Sequence, residues 1–73
     1  MPKDTISPQL RRLGSRIREL REKQGLTQVA LSRASGVHRV YLSGIERGIR
    51  NLTVLHLLSI AKALKVRPST LLD

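Results

Sequence analysis

Apolar side chains in this chain return at spacings of three and four and nowhere alternate over the length of a strand, so the sequence builds helices and has no material for a sheet. Leu10, Leu13, Ile17 and Leu20 mark a first amphipathic helix. It is entered through Ser7-Pro8, a capping residue ahead of a proline, and it stops at Gln24-Gly25. Arg11, Arg12, Arg16, Arg18, Glu19, Glu22 and Lys23 take its other faces. Thr27 caps a second, short helix running to about Ser35, with Leu31 and Ala34 turned inward, and Gly36 supplies the positive φ of a tight turn. Val37 resumes the core. A third helix fits 38–47, with Tyr41, Leu42 and Ile45 inside and Gly48 as its stop. After a loop at 49–52, Thr53 caps a fourth helix through Leu64, in which Val54, Leu57, Ile60, Ala61 and Leu64 form one stripe. Val66 continues the core, and Pro68 starts a last turn that carries Leu71 and Leu72. The breaks at Gly25 and Gly36 interrupt every heptad, which excludes a coiled coil.

Chain length limits what these helices can enclose. At 73 residues the chain buries only about 60% of the surface it exposes unfolded, enough for one small core and no deep substrate pocket. The expectation is an all-α, compact five-helix domain over 8–73 behind a flexible polar arm at 1–7, with no cofactor and no small-molecule ligand. The absence of cysteine removes disulfides, thiolate metal sites and cysteine nucleophiles, and it points to an intracellular, cytoplasmic setting. No apolar stretch approaches the roughly 20 residues that span a bilayer, and no apolar signal core follows Lys3. No membrane partner is expected.

Fourteen Lys and Arg face five Asp and Glu, a formal charge of +9. The charged fraction is ordinary and the imbalance of sign is not. Such a field favours a polyanion, nucleic acid first and an anionic membrane surface second. The segment 27–47 supplies a means of reading one: a short helix, a glycine turn, an apolar residue just after the glycine and a second short helix. That is the pattern of a helix-turn-helix, in which the first helix crosses the DNA backbone and the second lays its N-terminal face in the major groove, where base edges differ. Arg39, Val40, Ser43 and Gly44 fall on that face. Gly44 costs a helix about 1 kcal/mol relative to alanine. Either a close approach to the groove or a core contact too tight for a side chain accounts for it.

The run LTQVALSRASGVHRVYLSGIERGIRNLT resembles the Cro and phage-repressor class of helix-turn-helix proteins, the XRE family, and the resemblance extends from about Leu10 to Leu72. Within it, HRVYLSGIERGIRNLT is similar to the small controller proteins of bacterial restriction-modification systems. The resemblance implies a five-helix repressor-like domain, of bacterial or phage type, that binds double-stranded DNA as a homodimer on a roughly palindromic operator. Arg39 stands where such proteins read bases, and an arginine there makes a bidentate pair with guanine worth about 1–3 kcal/mol of discrimination. Val40 is placed to touch a thymine methyl, and Ser43 a base or a phosphate. Gln28 matches the family position that anchors a phosphate beside a helix N-terminus. His38 starts the reading helix near a phosphate. Arg47, Arg50, Asn51 and Thr53 surround a loop that follows the DNA backbone in the family, and Tyr41 matches a tyrosine placed near that backbone or packed inside.

Glu46 corresponds to a glutamate that pairs in the family with an arginine of the first helix, here Arg21, and the pair is structural. Leu55, Leu58 and Leu72 are more apolar than the surface of a small monomer needs, and the family dimerises through its fourth and fifth helices. Three departures from the family pattern stand out. Ala30 leaves the capping box of Thr27 incomplete, Val29 is apolar where a charge is usual, and Lys65 takes the place of a glycine at the end of the fourth helix. His38 and His56 do not form a metal-binding spacing, and the serines lie in no nucleophile motif, so no metal site and no enzyme is expected. The rival reading is an antitoxin or adaptor whose main partner is another protein.

Overall fold

The protein, in a computed structural model that describes residues 7–72, forms five helices: α1 (Pro8–Lys23), α2 (Gln28–Ser35), α3 (Arg39–Glu46), α4 (Val54–Leu64) and α5 (Pro68–Leu72). There is no strand among the described residues. Most of the expected arm at 1–7 lies outside them, and Ser7 caps α1 by accepting a hydrogen bond from the Gln9 N–H at 3.1 Å. Thr27 Oγ1 does the same for Ala30 at 3.0 Å and Thr53 Oγ1 for His56 at 3.1 Å. Each satisfies one of the N–H groups a helix start leaves open.

Three helices end in the same way. Gly25 has φ 73°, and the N–H groups of Gly25 and Leu26 donate back to Glu22 and Arg21 carbonyls; Gly48 at φ 77° and Lys65 at φ 60° close α3 and α4 with the equivalent pairs of bonds. This Schellman arrangement requires one left-handed residue. Lys65 is the only non-glycine with positive φ among the described residues, so the departure from glycine at the end of α4 leaves a lysine in a conformation that costs an L side chain stability.

Leu13 and Ile17 of α1, Leu31 of α2, Leu42 and Ile45 of α3, Ile60, Ala61 and Leu64 of α4 and Leu71 of α5 meet in one aliphatic core, with Val37 filling the gap beneath the α2–α3 turn. In this arrangement α1 packs on α3 and α5, α2 on α3 and α4, and α4 on α5. The close approach of α1 to α3 depends on Gly14. A Cβ there would stand 2.2 Å from the Ile45 carbonyl oxygen and 2.7 Å from that of Glu46, which no side-chain adjustment relieves.

Two expected core positions lie outside. Ala34 is exposed, because the inward place one turn after Leu31 goes to Ser35, whose hydroxyl accepts from the Val37 N–H at 3.2 Å. Val54 is 70% exposed: as the first residue of α4 it precedes the turn that packs, and the buried stripe begins at Ile60 with Leu57 half-buried beside it. His38 is the N-cap of α3 rather than its first helical residue.

Candidate nucleic-acid interface

Gly36, at φ 77°, turns the chain out of α2 while its N–H donates to the Ser32 carbonyl at 2.8 Å. Val37 drops into the core, and Ser32 Oγ donates to its carbonyl at 2.6 Å, so the turn is held from both sides. His38 then caps α3, its Nδ1 accepting from the Val40 N–H at 3.2 Å. The result is an α3 whose N-terminal end is open to solvent, His38 included. Arg39 and Val40 are exposed and Ser43 is half-buried one turn on, and all three share the outer side of the helix. Gly44 does not join them, and this corrects the expectation that it faces outward with the reading residues. The chain doubles back after the Schellman bond from the Ile49 N–H to the Gly44 carbonyl and lays Arg50 over the glycine. A Cβ at Gly44 would meet Arg50 Cγ at 2.3 Å. The glycine is a seat for the arginine stem.

The opposite end of α3 is fixed by charge. Arg21 and Glu46 are only 8% and 6% exposed, and they form a two-pronged pair, Nε to Oε2 at 2.7 Å and Nη2 to Oε1 at 3.0 Å. Arg21 Nη1 also donates to the Leu26 carbonyl at 2.8 Å. The hydrogen bonds to Glu46 raise Arg21 above the ordinary arginine value, with burial opposing them. Gln28 completes the cluster, its Nε2 donating to Glu46 Oε1 at 3.0 Å. One amide hydrogen of Gln28 is thereby committed inward. Its second hydrogen and the open N–H groups of the first turn of α2 are what that end of the helix still offers an anion.

Beyond α3, Tyr41 donates its hydroxyl to the Asn51 carbonyl, and its ring meets His56 edge-on with centroids 4.9 Å apart. Tyr41 thus ties the α3–α4 loop to both helices. Arg47, Arg50, Asn51 and Thr53 are exposed along this loop.

The helix-turn-helix family model matches residues 17–71, more than half of the chain and all of α2 and α3. The chain belongs to the helix-turn-helix family of DNA-binding regulators. Control protein C.BamHI of Bacillus amyloliquefaciens is 41% identical to it over 61 residues, covering 82% of this chain and 75% of that protein. The restriction-modification controller protein C.AhdI of Aeromonas hydrophila superposes with a TM-score of 0.83 at 44% identity, over 85% of this chain and 94% of that one. The controller protein C.Esp1396I, solved as a tetramer on its natural 35 base-pair operator, gives 0.82 at 38% identity over 89% of this chain and 86% of that one.

In this helix-turn-helix protein the charge layout follows from the sequence and the burial together. Glu46 is the only carboxylate between Lys23 and Leu72, and it is buried and occupied. The outer face of α3 and the following loop therefore present Arg39, Arg47 and Arg50 with no exposed carboxylate between them. No group of three or more His, Asp or Glu side chains among the described residues is arranged to hold a metal ion, and no helix among them is long and apolar enough to cross a membrane. The residue missed by sequence reasoning is Gly14. Its signal was available, since a glycine in mid-helix costs helix stability and wants a reason.

Proposed function

We propose that the chain is a sequence-specific transcriptional regulator of the restriction-modification controller type, acting in the cytoplasm by binding alone, without catalysis. Two copies place their α3 helices in successive major grooves on one face of a palindromic operator, with half-sites about one helical turn apart. The observation that carries this reading is the exposed N-terminal end of α3, with Arg39 and Val40 on a surface that bears no free carboxylate. Arg39, Val40 and Ser43 read bases. His38, Arg47, Arg50, Asn51 and Thr53 grip the backbone, joined by Gln28 through its remaining amide hydrogen, and Tyr41 acts by holding the loop in place. Leu55 at 74%, Leu72 at 62% and Leu58 at 45% exposure lie on α4 and α5, away from the reading helix in sequence, and they form the surface through which the copies pair.

The test separates reading from gripping. On the duplex that the protein selects, Arg39→Ala abolishes the preference at one base pair per half-site, a loss of about 1–3 kcal/mol of discrimination. Arg50→Ala instead weakens all duplexes alike and lowers the salt slope by roughly one unit. An unchanged base preference in Arg39→Ala would show that α3 does not read with this face.

A further inference from the structure

The arginines of α1 have different surroundings, and one of them stands beside the end of the reading helix. Gly48, the left-handed residue that closes α3, is buried, and a Cβ on it would lie 2.9 Å from Arg11 Cα and 3.0 Å from Arg11 Cγ. The α1 backbone and the stem of Arg11 therefore rest directly on the residue after Arg47. Gly14, one turn along α1, locks this register against the Ile45 and Glu46 carbonyls. The Arg11 side chain is exposed and its guanidinium has no hydrogen-bond or ion-pair partner among the described residues, only the backbone N–H being engaged, with the Ser7 carbonyl at 3.2 Å. Its neighbours on α1 differ. Arg12 lines a groove with Leu13, Leu71 and Leu72 on the α5 side, and Arg18 pairs with Glu22 at 3.1 Å.

We propose that Arg11 extends the phosphate-gripping surface of Arg47 and Arg50, so that the first helix, and not only the helix-turn-helix and its loop, binds the DNA backbone. The proposal rests on the DNA-binding reading above. Arg50 lays its stem on Gly44 and Arg11 lays its stem on Gly48, and the two guanidinium-bearing chains flank the C-terminal end of α3 together with Arg47. No exposed carboxylate lies between residues 7 and 18 or between Glu46 and Leu72 to neutralise them. Duplex DNA carries one phosphate charge per roughly 1.7 Å of axis, so neighbouring cations on one surface each find a separate phosphate. A stem already packed on glycine loses less freedom when its head is fixed than a free surface arginine does. The competing account is that Arg11 merely offsets the negative end of the α3 dipole, which predicts an effect on stability and none on the salt dependence of binding.

The experiment measures binding of the full chain to its selected duplex and to a random duplex across a range of salt. Arg11→Met keeps the stem on Gly48 and removes the charge, with Arg11→Gln as a second neutral variant and Arg12→Met as the comparison from the other side of α1. The expected result is a slope of log affinity against log salt shallower by about 0.9 for Arg11→Met and Arg11→Gln on both duplexes. The ratio between the duplexes stays as in the parent chain, Arg12→Met keeps the parent slope, and Arg11→Lys restores it. A parent slope in both neutral variants, alongside a reduced slope in Arg50→Ala, would overturn the role of Arg11 and leave the DNA-binding reading intact. Absence of salt-dependent binding by the parent chain would overturn both.

Discussion

Glu46 is the residue whose surroundings say most about how α3 is held against α1 and α2. Its carboxylate takes three donors, two from Arg21 and one from Gln28, in a site almost closed to water. Removing one partner leaves the other charge buried and unpaired, so Glu46→Ala and Arg21→Ala each lower unfolding stability by about 3–5 kcal/mol, measured by denaturant titration. The double change Arg21→Met with Glu46→Leu recovers most of that loss, because paired charges and well-packed apolar groups of similar volume come out close to even. Gly14 and Gly44 differ in the same measurement. A methyl at Gly14 meets two backbone carbonyls, so Gly14→Ala costs about 1–3 kcal/mol or more, whereas a methyl at Gly44 meets the flexible stem of Arg50 and gains helix propensity. Gly44→Ala costs less than Gly14→Ala, because the exposed Arg50 side chain can swing off the added methyl, and it displaces that side chain from its seat on α3.

At the level of elements, helix ends were the most legible part of the chain. Ser7, Thr27 and Thr53 cap α1, α2 and α4 as their types announced, and Gly25, Gly36 and Gly48 stop α1, α2 and α3, because these residues act through local backbone geometry that a sequence displays directly. Lys65 was legible as a departure, and the fold pays for it with a left-handed lysine; Lys65→Gly raises the thermal midpoint, with a gain of about 1 kcal/mol. Less legible were the faces. Ala34 and Val54 fit the helical period and still lie outside, since period alone does not tell which edge of an apolar stripe the neighbouring helices cover. The site divided in the same way. The exposed ends of Arg39 and Val40 followed from the position of the turn, while the seating of Arg50 on Gly44 and of Arg11 on Gly48 depends on chain segments that meet only after folding.

Over the whole molecule, one small aliphatic core carries two unlike surfaces, a cationic one around α3 and an apolar one on α4 and α5. Under the proposed function, their combination gives a dimer specificity for two-fold symmetric DNA, because a second copy doubles the contacts only where both half-sites are present at the right spacing. A charge set into the apolar surface, Leu55→Lys, shifts the chain toward monomer in sedimentation analysis and weakens operator binding while leaving the fold intact, since this side chain is already 74% exposed. The most direct test of the account is selection from a randomised duplex pool at physiological salt, with sequencing of what the purified protein retains. The account predicts enrichment of a two-fold symmetric site with half-sites about 10 base pairs apart. Salt-sensitive retention without enrichment of any sequence would contradict it, leaving a cationic helical domain whose specific partner is a protein.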